Sequence, residues 1–291
     1  PEANEPLPME SRFALLLLAC LIPTVAAAGH GAQPASAVED GQVYLYIQPL
    51  PVQSQSVTFS IETMAALTDR GGELPLQPVL PAIGGEASRR QRLLAVRTLP
   101  PGAYHGLSIK VARASRGPRE DEVALTVPDE AYRIDVPFVV SRGRAAVLWL
   151  EARPGGAAGA PGAFDPRFAA YVAPRPMMSL SGFASAPSAD TITVFDKRRR
   201  QAAAVIPVAG QPSGMALDQR AGRLYVACPQ SDEVLVVDVA AAEVVERARL
   251  FPGDGPRELA ITSDGRLLLS ANPGSNSVTI FETQPLTRLE R

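Results

Sequence analysis

Short runs of alternating apolar and polar residues fill the chain between residues 42 and 152, and none of them sustains a helical period. Alternation with a period of two places the apolar side chains on one face of a β-strand. The pattern predicts strands at 43–47, 56–61, 93–96, 107–111, 123–127, 132–140 and 145–150. A single helical turn is expected at 64–67. So many short strands, separated by Gly- and Pro-containing loops, indicate an antiparallel β-sandwich.

A different pattern, an internal repeat, dominates the last third of the chain. The segment DTITVFD at 190–196 recurs as DEVLVVD at 232–238 and as NSVTIFE at 276–282, at intervals of 42 and 44 residues. A proline precedes each copy by three residues, at Pro187, Pro229 and Pro273. A period in the low forties with four strands per unit is typical of β-propeller blades. The middle unit predicts strands at 214–217, 223–228, 234–237 and 243–250.

The residues of this repeat resemble a known family. Leu224-Tyr225-Val226-Ala227, followed by PQSD at 229–232, resembles the YVTN repeat of bacterial β-propellers, and the resemblance covers residues 178–291. The segments Val205–Val208 and Gly255-Pro256 match that family's inter-blade sequence. Cys228 stands where the family usually has Asn, which Asn272 keeps. The resemblance implies a propeller, usually of seven blades.

A shorter resemblance concerns the N-terminal region. Leu99–Tyr104 reads LPPGAY, which resembles the turn into a strand of transthyretin-like and carboxypeptidase-regulatory-like sandwiches. In those domains the tyrosine packs on the core, so the resemblance implies a buried Tyr104.

These patterns together predict an all-β protein with an N-terminal antiparallel β-sandwich and an incomplete β-propeller. The expected organisation is upstream residues and a signal peptide at 1–28, a flexible tail at 29–41, the sandwich at 42–152, a Gly/Pro linker at 153–167 and about two to three blades at 168–291. A seven-bladed ring needs about 300 residues. Because the chain starts at Pro1 and ends inside a predicted outer strand, we expect a fragment lacking several C-terminal blades. Assembly of short chains into a ring is the alternative.

The leader predicts the compartment. After Met9 and Arg12, residues 13–28 are almost wholly apolar, as in a secretory signal peptide with cleavage after Ala28. The alternative is a lipobox at Leu17–Cys20, in which Cys20 is lipidated and membrane contact occurs through that anchor alone. Both models place the mature protein outside the cytoplasm, in the periplasm or cell envelope.

Composition narrows the possible chemistry. The chain has 28 Pro, which excludes a helical bundle or coiled coil, and its net charge of −2 gives no global attraction to nucleic acid. Two His and two Cys leave little material for a multi-ligand metal site, so no metal or cofactor is expected.

No residue stands out as catalytic. His105 is the sole histidine of the predicted folded regions and is expected in an exposed loop, and Cys228 is expected to be buried in a strand. The basic segment Lys197–Arg200 is expected to be a solvated turn rather than a nucleic-acid patch. The acids that end the three repeat copies are expected to cap turns rather than to bind metal: Asp196, Asp238 and Glu282.

The sequence therefore predicts an extracytoplasmic binding or scaffold protein. Its propeller would serve as a recognition platform for a protein, a glycan or a small ligand. The alternative is a propeller enzyme, a lactonase-like hydrolase or a dehydrogenase, whose catalytic residues lie in the missing blades.

Overall fold

Twenty β-strands and a few short 3₁₀ turns make up the regular structure of residues 40–118, 121–154 and 162–291, the part that the computed structural model describes. The all-β prediction is confirmed. The predicted signal peptide, with Cys20 and Ala28, lies outside these described residues. Within them, no helix has the length and hydropathy needed to cross a bilayer.

The N-terminal region is a sandwich of two sheets, here called sheet A and sheet B. Sheet A has the order β4-β1-β8-β9 and is built from β1 (Gly41–Ile47), β4 (Arg92–Leu99), β8 (Ala145–Glu151) and β9 (Ala169–Val172). Sheet B contains β2 (Val57–Thr68), β3 (Glu73–Leu76), β5 (Gly102–Arg116), β6 (Val123–Leu125) and β7 (Tyr132–Val140). Within sheet B the order is β3-β2-β5, and the other side of β5 pairs with both β6 and β7.

All seven strands predicted for the sandwich are present. The structure has two further strands, β3 and β9, which were not predicted because their sequences show no clear alternation of apolar and polar residues. The helical turn expected at 64–67 is wrong, because these residues continue β2 and pair with β5. Their alternate members Met64 and Ala66 are buried in the core, as the period of a strand requires. The pairs of the sandwich are antiparallel except β1 and β8, which run parallel.

The sandwich core lies between the two sheets. Leu45 of β1 and Leu148 of β8 are fully buried there against Leu107 and Ile109 of β5. Strand β7 alternates strictly between buried and exposed positions, which places one face on this core. Tyr104 is also buried, and its ring stacks on Phe138 at 5.0 Å between centroids. Its hydroxyl donates to the Pro100 carbonyl at 2.9 Å, so the core packing expected for Tyr104 is confirmed.

The sandwich extends further along the chain than the sequence predicts. Strand β9 pairs with β8, although the propeller was expected to begin at residue 168. Phe164, inside the expected linker, is 3% exposed in the sandwich core, and the Arg153 amide donates to the Pro166 carbonyl. The boundary at 168 is therefore wrong, because aromatic residues after the Gly-rich segment return the chain to the sandwich. Residues 155–161 of the linker lie outside the described residues.

Three antiparallel sheets follow and correspond to the predicted blades. Blade 1 contains β10 (Ser181–Ala186), β11 (Thr191–Asp196) and β12 (Gln201–Pro207). Blade 2 contains β13 (Met215–Asp218), β14 (Arg223–Cys228), β15 (Glu233–Asp238) and β16 (Glu243–Arg249). Blade 3 contains β17 (Glu258–Ile261), β18 (Leu267–Asn272), β19 (Ser277–Thr283) and β20 (Leu286–Glu290). The strands of blade 2 agree with the predicted ones to within one residue at either end.

The blades pack face to face through buried side chains. Between blades 1 and 2 the contact is apolar, with Ile192 and Ile206 facing Val226 and Leu235. Between blades 2 and 3, Tyr225 and Val236 meet Leu268 and Phe281. Each blade sheet is therefore buried on a face that an isolated sheet would expose to water.

Sheet A contacts blade 1 on the side opposite the sandwich core. Val147 and Trp149 of β8 pack with Ala173 and Val205 in a small apolar cluster. The Trp149 Nε1 donates to the Ala202 carbonyl at 2.8 Å, so the indole nitrogen is satisfied while the ring is buried. The contact joins the two regions of the chain through packing as well as hydrogen bonding.

The first residue of each repeat copy has one structural role. Asp190, Asp232 and Asn276 have φ angles of 50°, 52° and 53°, which Asp and Asn tolerate better than other non-glycine residues. The Asp232 carboxylate accepts hydrogen bonds from the amides of Gly253 and Gly255, at 2.9 and 2.7 Å. This residue therefore turns the chain within one blade and also holds the loop that leads to the next.

We predict that Asp232→Ala lowers the free energy of unfolding by about 2 kcal/mol, because it combines left-handed strain with two lost charge-assisted hydrogen bonds. Asp232→Asn should cost less than half as much, since Asn tolerates this conformation and keeps one acceptor. Urea unfolding followed by circular dichroism measures both. Equal losses for the two variants would contradict the assigned role.

Candidate functional site

An open groove of about 1150 Å³, here called the hairpin groove, lies at one end of blades 2 and 3. Its walls come from three turns. They are the β13–β14 turn from Asp218 to Ala221, the β17–β18 turn from Thr262 to Arg266, and the β19–β20 turn at Glu282–Gln284. Turns of two neighbouring blades meet here because the sheets stack in register.

Aspartates shape two of these turns. The Asp218 Oδ1 accepts hydrogen bonds from the amides of Arg220 and Ala221, at 2.9 and 3.0 Å. The Asp264 Oδ1 accepts from the Thr262 hydroxyl at 2.6 Å and from the Arg266 amide at 3.0 Å. These bonds, first that from the Thr262 hydroxyl and then that from the backbone, lower the pKa of Asp264 below its usual value. The carboxylate is therefore ionised at neutral pH.

The groove presents charges of both signs. Asp218, Asp264 and Glu282 supply carboxylates, and Arg220 and Arg266 supply guanidinium groups. Within the residues that the structure describes, no ion pair shorter than 4.0 Å involves any of these five side chains. Hydroxyl and amide side chains fill the spaces between them, from Thr262, Ser263, Gln219 and Gln284. Such a lining can donate and accept many hydrogen bonds at once.

Two turns of the groove approach each other closely at Gly265. Gly265 has a φ of 76°, and a Cβ atom on it would lie 2.9 Å from Asp218 Oδ2. The absence of a side chain at this position lets the blade 3 turn approach the blade 2 turn.

Two residues singled out in the sequence lie away from the groove. His105 is on strand β5, so its expected place in a loop is wrong, although it is exposed as expected; its Nδ1 lies 3.9 Å from an Asp69 oxygen. Cys228 is fully buried in β14, as predicted. Burial, with a smaller contribution from the Glu233 charge, raises the pKa of the Cys228 thiol to about 12. The thiol is therefore protonated and unreactive at neutral pH.

The basic segment Lys197–Arg200 forms the exposed β11–β12 turn, as predicted. The capping role expected for Asp196 and Asp238 is confirmed: Asp196 accepts from the Arg198 and Arg199 amides, and Asp238 from the Ala241 amide.

The same role was expected for Glu282 and is wrong. Glu282 is exposed at the groove, and the structure describes no hydrogen bond to its carboxylate. The β19–β20 connection has two residues, whereas β15 and β16 are joined by four, so the blade 3 turn differs in shape. In the described residues, no group of three His, Cys, Asp or Glu side chains could hold a metal ion.

The sequence predicted the groove's parts but not the groove. Ser263-Asp264-Gly265 has the composition of a hairpin turn, with Gly available for a positive φ. Asp218 followed by Gly222 carries the same signal one blade earlier. The two turns face each other because of the way the sheets stack, and no local sequence pattern predicts that stacking. Aligning the turns of successive repeats could have revealed it.

Comparisons with known proteins assign no family. No protein-family model and no curated protein matches the chain. Among solved structures, hydrazine synthase of Kuenenia stuttgartiensis is similar over 38% of this chain and 32% of its own, with 26% identity and a TM-score of 0.36. The dihydro-heme d1 dehydrogenase NirN, in complex with DHE, shares 15% identity over 78% of this chain and 56% of its own, with a TM-score of 0.35.

A putative 6-phosphogluconolactonase of Bacteroides fragilis shares 14% identity over 82% of this chain and 68% of its own, with a TM-score of 0.34. The chain spans less than two thirds of the hydrazine synthase and NirN chains. Because every one of these TM-scores is below 0.5, the blades are assigned from their own sheets and repeats.

We predict that Gly265→Ala destabilises the protein more than Gly222→Ala. Both substitutions force Ala into a positive φ, of 76° and 67°, at a cost of about 1 kcal/mol each. A Cβ added at Gly222 would meet no atom closer than 3.6 Å, whereas one added at Gly265 would also press on the Asp218 carboxylate. Thermal unfolding of both variants measures the difference, and equal shifts in Tm would contradict the contact between the two turns.

Proposed function

We propose that the protein is an extracytoplasmic binding protein whose hairpin groove recognises a hydroxyl-rich ligand, a glycan. The observation that carries this proposal is the groove's lining of carboxylates and guanidinium groups, which have no ion-pair partners among the described residues. Sugar hydroxyls both donate and accept hydrogen bonds, so a glycan can engage carboxylates and guanidinium groups at the same time.

The shape of the groove supports an extended ligand rather than a small apolar one. It is open, and its described lining residues include no aromatic side chain and only Leu217, Ala221 and Ile261 as apolar ones. Small-molecule pockets are usually concave and mostly apolar. A polar cleft at the rim of two blades offers length and hydrogen bonds instead.

The proposed membership of the YVTN-type propellers agrees with this role. The residues Leu224–Ala227, on which the resemblance depends, lie in the buried strand β14 and provide blade packing rather than chemistry. The blades would then form the rigid support, and the turns at their ends would provide recognition.

The extracytoplasmic location is proposed from the leader. The apolar segment 13–28 after Arg12 suits export, and the small residues up to Ala28 suit signal-peptide cleavage. Lipidation of Cys20 is the other route to the same compartment.

We predict that the full chain binds oligosaccharides on a printed glycan panel, and that Arg220→Ala and Arg266→Ala each weaken binding of the strongest glycan at least tenfold. Each substitution removes charge-assisted hydrogen bonds, and a loss of about 1.4 kcal/mol corresponds to tenfold. Calorimetry measures the affinities. Arg198→Ala, which removes an exposed guanidinium from a blade 1 turn, is the matched control and should bind normally.

Absence of glycan binding, or equal affinity in all four proteins, would contradict the proposal. Hydrolysis of a sugar lactone that depends on the same arginines would instead favour the enzyme alternative.

We predict that the chain, expressed with its leader in a Gram-negative host, is recovered outside the cytoplasm with Gly29 as its first residue. Mass spectrometry of the mature N-terminus and cell fractionation measure this. Cys20→Ala should leave processing unchanged. Loss of membrane association in Cys20→Ala would support lipidation instead, and an unprocessed chain in the cytoplasm would contradict export.

A further inference from the structure

A second, smaller cavity lies in the sandwich, at the end where β1 leaves sheet A and β4 enters it. Its volume is about 190 Å³, and its apolar wall includes Ile47, Leu80 and Ile83. Ile47 and Ile83 are 2% and 4% exposed, so the wall belongs to the core. The Ile83 amide and carbonyl both bond to Phe59 of β2, at 2.7 and 2.9 Å. The cavity is therefore preformed.

An unsatisfied polar group lies at this cavity. Gln48 lines it and is 6% exposed. The backbone N–H of Gln48 donates to the Leu150 carbonyl at 2.8 Å, and this bond fixes the backbone beside the cavity. The side-chain Nε2 is buried and has no hydrogen-bond acceptor among the described residues. Buried polar groups are almost always paired, so an orphaned amide donor beside a cavity indicates a missing acceptor.

The rim of the cavity is positively charged. Arg90 and Arg92 line it, and both are exposed. They belong to the segment Arg89–Arg92, a second basic segment beside Lys197–Arg200. Among the side chains that the structure describes, neither Arg90 nor Arg92 forms an ion pair. These guanidinium groups attract an anion to the entrance and can pair with it.

We propose that this cavity binds a small organic monocarboxylate with a compact apolar body. The apolar part packs on Ile47, Leu80 and Ile83, and a carboxylate oxygen accepts the hydrogen bond from Gln48 Nε2. Arg90 and Arg92 neutralise the charge. An apolar cavity of about 150 Å³ holds a benzene molecule, so the space here suits an aromatic or short branched acid. The site is separate from the hairpin groove and does not depend on the glycan proposal.

Benzoate is the probe. It is titrated into the full chain carrying ¹³C-labelled isoleucine methyl groups, and the chemical shifts of Ile47 and Ile83 are followed. We expect saturable shifts at both methyl groups and weaker binding at high salt, because the rim charges are screened. Gln48→Leu keeps the size of the side chain but removes the donor, and should weaken binding about tenfold or more. Arg92→Ala should also weaken binding, whereas Arg97→Ala, an exposed residue further along β4, should not.

Three outcomes would overturn the proposal. The first is that neither the Ile47 nor the Ile83 methyl groups shift at high benzoate concentration. The second is that toluene binds as tightly as benzoate. The third is that Gln48→Leu and Arg92→Ala both bind benzoate with unchanged affinity. Because Arg92 is exposed, its variant is expected to fold even where Gln48→Leu does not. Gln48→Glu gives a further test, since a carboxylate in that place would repel benzoate and abolish the shifts.

Discussion

The central strands of sheet A, β1 and β8, are covered on both faces, and the rest of the structure depends on this double covering. Along β8, Leu148 and Leu150 enter the sandwich core, while Val147 and Trp149 point to the opposite face against blade 1. Strands buried on both faces have near-continuous apolar sequences instead of alternation, which explains AAVLWL at 145–150. Sheet B covers one face and blade 1 covers the other. Blade 1 in turn supports blade 2, so the position of every later sheet follows from this contact.

A register shift that recurs in the outer strand pair of each blade makes the contact between sheet A and blade 1 specific. The pairing of β11 with β12 shifts register between Val194 and Phe195, and the same shift occurs between Val236 and Val237 and between Ile280 and Phe281. Each shift leaves one residue of the outer strand unopposed, as in a β-bulge. In blades 2 and 3 these residues are Val245 and Leu289, which are 44% and 56% exposed.

In blade 1 the same bulge is covered by the sandwich. The amide of Ala202, beside the bulge, donates to Gln91 Oε1 at 2.6 Å, and its carbonyl accepts from Trp149 Nε1. Sheet A thus satisfies backbone groups of blade 1 and also covers its apolar flank. A terminal repeat of a stacked array needs such a cap, because its outer face would otherwise be exposed.

The sequence predicted the elements of this structure far better than their assembly. Period-two alternation found the strands of the sandwich, and the spacing of Asp190, Asp232 and Asn276 found the blades, because both signals are local or strictly periodic. These signals could not predict the hydrogen bond of Trp149, because its partner is the backbone carbonyl of Ala202 and every residue type has such a carbonyl. The unpaired side-chain amide of Gln48 and the hairpin groove could not be predicted for a related reason. Both exist only after the sheets have packed.

One buried polar cluster connects the packing of the blades to the groove. Asn272 is 1% exposed; its Nδ2 donates to Thr279 Oγ1 at 2.8 Å, and its Oδ1 accepts from Ser270 Oγ at 2.8 Å. One repeat earlier, 44 residues upstream, the equivalent positions are Val226, Cys228 and Leu235, which pack against blade 1 without polar contacts.

An apolar surface tolerates small slips, because apolar contact has no direction, whereas a hydrogen-bonded cluster is satisfied in one arrangement. The cluster therefore fixes the register of β18 against β19 more narrowly than apolar packing does. That register positions the turn that contains Asp264 and Gly265. A groove made of turns from two sheets needs such a constraint, because a shift of one residue would move the Asp264 carboxylate out of the groove.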